Sequence, residues 1–273
     1  MTFPLTWLYV PGDRPHVVAK ALRCGADVVV IDLEDAVAPD RKEYAREATA
    51  ELLSEDQPVP VHVRVNALDG PLAAADLRAV AALPGVRGLR LPKVTSPAQI
   101  TRIAGLVAEH GPHPLYALLE TALGVEHAYA IAAAHPDLRG ISLGESDLRA
   151  DLGVRADAGL DWSRSRVIVA ARAAGLAPPP QSVHPDVRDL EGLASSCAHG
   201  RGLGFLGRSA IHPRQLPIIE RAYLPTQREI EEAETIVKAA AAEPGAQALP
   251  DGRFVDAAVV ATARRTLSLA HRT

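Results

Sequence analysis

Eight short apolar runs in this chain each end in side chains that can hold a cation, clamp an anion or move a proton. The first leads into Pro11-Gly12-Asp13-Arg14 and the second into Asp32-Leu33-Glu34-Asp35. The third carries Arg64 and Asn66, the fourth ends in Pro92-Lys93, the fifth in Glu120-Thr121, and the sixth in Gly144-Glu145-Ser146-Asp147. The last two run into His184-Pro185 and Ile211-His212-Pro213. Glu120 and Asp147 follow neighbouring runs, and two carboxylates brought together suit a hard divalent cation. Mg2+ takes one or two protein carboxylates and leaves its other positions to water or substrate oxygens. The competing reading is that each carboxylate caps the helix that follows it.

Arg64 sits in the apolar stretch Val61-His62-Val63-Arg64-Val65. Burying an unpaired charge there is costly. It therefore either clamps a carboxylate or enolate oxygen or pairs with Asp32 or Glu34 on the adjacent strand, and both can hold at once. One of Asp32, Glu34 and Asp35 could orient Arg64 or a metal-bound water, while at least one belongs to a solvated acidic loop. Lys93 could form a Schiff base with a keto substrate or pair with a neighbouring carboxylate such as Glu120. His184 and His212 are proton-transfer candidates by residue type, or rings that brace the loops before their prolines.

These groups need a scaffold that gathers strand ends. The sequence predicts strands at Trp7–Val10, Val28–Leu33, Pro60–Val65, Gly88–Pro92, Leu115–Glu120, Gly140–Leu143, Gln181–Val183 and Gly204–Ile211. Helical patterns lie between them, as at Pro39–Leu53, Pro71–Leu83, Pro97–Glu109 and Ala122–Ala134. Several open on proline, whose missing N–H costs nothing in a first turn. Eight β/α units predict an α/β fold, a (β/α)8 TIM barrel with a C-terminal helical extension. Active sites of such barrels lie at the C-terminal ends of the strands. A doubly wound open sheet is the alternative. The barrel is expected over residues 1–223. Residues 224–273 form the extension: a polar helix Gln227–Ala242, a Pro/Gly-rich break Glu243–Gly252 and a last helix from about Phe254, capping the barrel or reaching a neighbouring subunit.

The bulk properties narrow the function. At 273 residues the chain is long enough for one large domain or two small ones, and a typical α/β barrel uses about 250 residues as a single domain. A formal net charge of -4 with no basic stripe argues against nucleic-acid binding. Cys24 and Cys197, the only cysteines, have no metal-like spacing and fit a reducing compartment. No apolar run approaches the ~20 residues of a membrane span, and Met1–Leu5 lacks a basic, then apolar, leader. A cytoplasmic enzyme is expected.

The motifs Leu8-Tyr9-Val10-Pro11-Gly12-Asp13-Arg14-Pro15, Asp32-Leu33-Glu34-Asp35-Ala36-Val37, Val63-Arg64-Val65-Asn66, Leu91-Pro92-Lys93, Leu119-Glu120-Thr121, Gly144-Glu145-Ser146-Asp147-Leu148 and Ala210-Ile211-His212-Pro213-Arg214-Gln215 occur in one order. With the tail segment Asp251-Gly252-Arg253-Phe254-Val255-Asp256, they make the chain resemble the HpcH/HpaI aldolase and citrate lyase β-subunit family, specifically its CitE-like members. The resemblance implies a TIM barrel in a homotrimer or hexamer that acts on CoA thioesters with Mg2+. It implies that Glu120 and Asp147 hold the metal and that Arg64 binds the substrate carboxylate or thioester enolate. Tyr9, Arg14 and Lys20 would contact the CoA part, and Ser146, Ile211 and His212 would line the pocket. Asp256 would enter a neighbouring subunit's site as an acid/base. Ser146, where many relatives carry Glu or Ala, Arg208, where lysine is frequent, and the unusual Pro178–Pro180 bear on specificity.

The expected activity is a Mg2+-dependent carbon–carbon lyase working by reversible aldol- or Claisen-type cleavage of a β-hydroxyacyl-CoA such as citramalyl-CoA, malyl-CoA or citryl-CoA. The alternatives are a CoA-independent pyruvate aldolase and a non-catalytic acyl-CoA-binding subunit.

Overall fold

The structure, a computed structural model, describes residues 4–111, 113–242, 245–248 and 252–271. It divides into two compact units, Pro4–Glu220 and a second one from Arg221 onward.

In the first unit, seven parallel strands form one sheet: β1 (Thr6–Pro11), β2 (Val28–Asp32), β3 (Val61–Arg64), β4 (Val86–Leu91), β5 (Leu115–Leu119), β6 (Leu138–Leu143) and β7 (Arg208–Ala210). Their spatial order is β6-β5-β4-β3-β2-β1-β7. The strand order never reverses, and the last strand pairs with the first, Trp7 opposite Ser209. A doubly wound sheet would show a reversal, so the fold is the α/β barrel. β2 is buried along its whole length, as a strand covered on both faces must be. Asp32 at its end lies in register with both Pro11 of β1 and Arg64 of β3, which brings the polar ends of three strands to one rim.

The connecting helices are α1 (Pro15–Ala21), α2 (Lys42–Leu53), α3 (Pro71–Val80), α4 (Pro97–Val107), α5 (Ala122–Glu126), α6 (Ala128–Ala132), α7 (Glu145–Leu152), α8 (Asp161–Ala173), α9 (Leu190–Leu203) and α10 (Leu216–Tyr223), which crosses into the second unit. Proline opens α1, α3 and α4, and a Ser96/Gln99 capping box secures α4. The expected helix 122–134 is two short helices. The break falls at His127, which leaves helical geometry while its ring bonds the Thr95 carbonyl at 2.7 Å.

Two strand expectations need correction. Gln181–Val183 is no strand: it makes a single bridge, Gln181 to Arg208. Three consecutive prolines, Pro178–Pro180, offer no N–H to a ladder. On the other side of this segment, Glu145 N–H donates to Ser182 Oγ at 3.2 Å, linking the seventh position to the end of β6. The expected Gly204–Ile211 strand shrinks to Arg208–Ala210, because Gly204 ends α9 in the left-handed conformation (φ 109°) and Gly207 turns the chain back at φ 77°.

The second unit contains α11 (Gln227–Ala242), a two-stranded antiparallel pair β8 (Gln247–Ala248) and β9 (Phe254–Val255), and α12 (Ala257–Ala270), which packs on α11. The last helix thus starts after Phe254, which lies in β9. Glu243, Pro244 and 249–251, including Asp251 of the tail motif, fall outside the described residues. No described helix is long and apolar enough to cross a membrane. Both cysteines are free, Cys197 buried and Cys24 partly so.

Candidate active site

Arg64 closes β3 with its guanidinium flat against Asp32. Nε donates to Oδ1 at 2.8 Å and Nη2 to Oδ2 at 2.6 Å, a bidentate pair, while Nη1 lies 3.1 Å from Glu34 Oε2. Burial opposes its charge, but the hydrogen bonds and charge of Asp32 outweigh that and raise its pKa. Asp32 is held in turn by the backbone N–H groups of Glu34 and Ala36. Sequence reasoning left the clamp and the salt bridge open for Arg64. The structure shows the bridge, with the side chain still on a cavity wall.

Lys93 is the one non-glycine among the described residues with positive φ, at 52°. Such a conformation costs on the order of 1 kcal/mol or more and persists where the surroundings over-determine it. Here both ends of the residue are held. Its N–H donates to Glu120 Oε2 at 3.0 Å, and its ammonium lies 2.7 Å from Glu34 Oε1. The expected side-chain partner Glu120 is thus replaced by Glu34, and Glu120 receives only the backbone bond. Burial works against the lysine charge, but the Glu34 hydrogen bond and charge prevail and raise its pKa. That pairing favours the ammonium over the free amine that a Schiff base requires.

Glu120, just past β5, is 2 % exposed. Its pKa is pushed up to about 7, first by burial and then by the charge of Glu34; Arg64 and Lys93 pull the other way, and Asp147 adds to the rise. The two cations that act on it bond other carboxylates, Arg64 to Asp32 and Lys93 to Glu34, so its negative charge is under-compensated. Gly144 makes room for it, since a Cβ there would collide with the Glu120 carboxylate. Asp147 stands in the first turn of α7 and is exposed. Both line one cavity of about 570 Å³ at the strand ends. Among the described residues no cluster of three or more potential metal ligands forms. Two carboxylates suffice for Mg2+, which keeps oxygen positions for water and substrate. A buried carboxylate that lacks a side-chain cation is what such an ion would neutralise, so the residues present fit it.

Tyr9, Arg64, Glu120, Ser146, Asp147 and Ile211 all line that cavity. Arg14, Lys20 and His212 are not among the described residues on its wall. Arg14 and Lys20 are exposed near α1, and His212 caps the turn Pro213–Gln215, its Nδ1 accepting from Arg214 N–H. His184 lies 3.5 Å from Asp189. Asp256, in the second unit, accepts from Val259 N–H at 2.9 Å as the cap of α12. Five contributors stand outside the expected site residues. Ser142, Ser182 and Ser209 put small polar groups on the wall. Glu145, also on the wall, is locked by Arg164 of α8 through bonds of 2.9 and 2.7 Å. Arg90 is buried and bonds Tyr9 of the wall. The alternation Leu89-Arg90-Leu91 was the signal for that last one: a charge in an apolar strand on the barrel's inward side.

Residues 5–213 match the model of the HpcH/HpaI aldolase/citrate lyase family. Over 96% of this chain and 93% of the relative, the chain is 37% identical to a (3S)-malyl-CoA thioesterase of Cereibacter sphaeroides. It is 33% identical to citrate lyase subunit beta of Leuconostoc mesenteroides, over 97% of this chain and 93% of that one. Among solved structures it is similar to CitE of Mycobacterium tuberculosis in complex with magnesium, acetoacetate and coenzyme A, with a TM-score of 0.83, 35% identity, and 99% and 98% of the two chains covered. Motif order, barrel topology and sequence identity along nearly the whole length agree: the chain belongs to the HpcH/HpaI aldolase/citrate lyase family.

Proposed function

We propose that this chain is a Mg2+-dependent carbon–carbon lyase that cleaves, or forms, a β-hydroxyacyl-CoA thioester of the citramalyl-CoA, malyl-CoA or citryl-CoA type. The observation that carries the reading is the buried, under-compensated Glu120 carboxylate beside Asp147 on a wall shared with Arg64. Glu120 and Asp147 would hold the ion, which supplies Lewis-acid polarisation of the oxygens next to the bond that breaks. Relatives are named for malyl-CoA and citrate chemistry, and a structural neighbour carries magnesium with coenzyme A.

In the cleavage direction the β-hydroxyl gives up its proton and its oxygen becomes the carbonyl of a keto acid. The C–C electron pair passes to the thioester α-carbon as an enolate, which then takes a proton to give the shorter acyl-CoA. Arg64, prealigned by Asp32, would offer a fixed donor to the developing negative charge. Charged Lys93, 2.7 Å from Glu34, keeps that carboxylate from competing for Arg64 alone. Ser146 and Ile211 would shape the acyl pocket, as would Tyr9, which shares their cavity wall although the resemblance implies a CoA contact for it; Arg14 and Lys20 would reach the CoA moiety, and His212, which the resemblance puts in the pocket, is not among the residues on that wall. Asp256, from a neighbouring subunit of a trimer or hexamer, would move the proton.

A second reading, favoured by the relatives named thioesterases, is hydrolysis of the same thioester to a free acid and CoA. Incubating the chain with Mg2+ and a panel of β-hydroxyacyl-CoA thioesters, with products identified by mass spectrometry, separates the two. A keto acid formed together with acetyl-CoA or propionyl-CoA supports the lyase. Intact hydroxy acid with free CoA supports the thioesterase, and no turnover of any thioester contradicts both.

A further inference from the structure

Arg90 of β4 is 1% exposed and is one of the largest fully buried side chains in the molecule. A buried guanidinium ordinarily pairs with a carboxylate, because its desolvation is otherwise uncompensated. No carboxylate among the described residues pairs with Arg90. Its neighbours are aromatic: Cζ lies 5.7 Å from the ring centre of Tyr9 and 5.5 Å from that of Tyr116, and its Nε has no hydrogen-bond partner. His62 stacks on Tyr116 at 4.6 Å and offers no compensating charge; burial, then Arg90, hold its pKa well below the usual range. Arg64 and Arg90 sit in register on adjacent strands, and Arg64 Cζ lies 5.5 Å from the Tyr9 ring centre. Tyr9 therefore stands between two cations. One is neutralised by Asp32 and Glu34, the other is not.

Among the described residues, the one polar contact of the Arg90 side chain is a hydrogen bond from Nη1 to the Tyr9 hydroxyl, at 3.3 Å. A guanidinium has five donors and no acceptor, so the phenol oxygen can only accept. Its own proton is thereby freed, and no described residue accepts it. Tyr9 lines the cavity that holds Glu120 and Arg64. A donor whose oxygen already accepts from a cation is polarised and donates more strongly.

We propose that Arg90 is a positioning residue that turns the Tyr9 hydroxyl into a polarised donor for an anionic oxygen of the bound keto acid or enolate. This rests on the lyase reading only for the identity of that anion. Tyr9 touches the ligand, Arg90 acts through Tyr9, and the unbalanced Arg90 charge adds long-range attraction for the same anion.

The test is a double-mutant cycle on keto-acid binding, which needs no turnover. Calorimetry measures oxaloacetate affinity in the presence of Mg2+ for the wild type, Tyr9→Phe, Arg90→Met and the double variant, with melting temperatures taken alongside. Each single change is expected to weaken binding about tenfold, the scale of one charge-assisted hydrogen bond. The double variant is expected to lose clearly less than the product of the two single losses, because Arg90 acts in part through Tyr9. Arg90→Lys, which keeps the charge, is expected to recover part of the loss; paired with Tyr9→Phe it gives the same cycle if Arg90→Met does not fold. Losses that multiply, or an Arg90→Met protein that binds like wild type, overturn the proposal. Wild-type chain that binds oxaloacetate but cleaves no thioester leaves the inference standing while the lyase reading fails. Wild-type chain that binds none of oxaloacetate, pyruvate and glyoxylate ends both.

Discussion

At Glu120, burial and the charge of Glu34 raise the pKa from 4.5 to about 7, and this has a consequence for the metal-free protein. Between those values the folded chain holds a proton that the unfolded chain has released. The stability that comes from protonated Glu120 is full below about pH 4.5 and is lost as pH rises through about 7. The whole span is at most about 3 kcal/mol. We predict that the metal-free melting temperature falls between about pH 5 and pH 8, that Glu120→Gln flattens this slope, and that Mg2+ reverses it in the wild type only. Differential scanning calorimetry at several pH values checks all three. That Glu120, Asp147 and Arg64 meet on one cavity wall was legible in the sequence, because charged residues at the ends of apolar strands have few places to go. The partner choices were not. Nothing in Leu91-Pro92-Lys93 shows that the lysine turns to φ 52° and gives Glu120 its N–H while sending its ammonium to Glu34.

The elements around the site set how firmly its carboxylates are held. Gly144, between β6 and α7, has φ -98°, which alanine adopts without strain, yet a Cβ there would strike the Glu120 carboxylate. Gly144→Ala is therefore expected to displace Glu120 and weaken Mg2+ binding by about tenfold or more, with folding intact by circular dichroism. Ser182 Oγ receives the Glu145 N–H and joins the irregular seventh position to α7. Ser182→Ala leaves that buried donor unpaired and is expected to cost about 1–3 kcal/mol in denaturant unfolding. Strands one to six were readable from apolar runs ending in polar residues. The seventh was not, because Gln181–Val183 has strand-like residue types while the prolines before it remove the donors a ladder requires. In β7, two glycines at positive φ shortened a run that hydrophobicity alone extends.

For the whole molecule, the division at Arg221 separates the barrel from a helical unit that carries Asp256. The proposed trimer or hexamer, with Asp256 serving a neighbour's site, makes a prediction that no single-chain mechanism shares. Glu120→Gln and Asp256→Asn proteins should each be nearly inactive, and co-assembled from a mixture they should recover a measurable fraction of wild-type turnover. Absence of recovery in a verified mixed oligomer would rule out service to a neighbour's site, and a fully active Asp256→Asn protein would place Asp256 outside the reaction. All of this depends on one ion per chain held by two carboxylates at the barrel mouth. Titrating Mg2+ calorimetrically into the chain with a keto acid present tests that most directly. The expected result is one site per chain, with affinity lost in both Glu120→Gln and Asp147→Asn; equal Mg2+ affinity in wild type and both variants would contradict it.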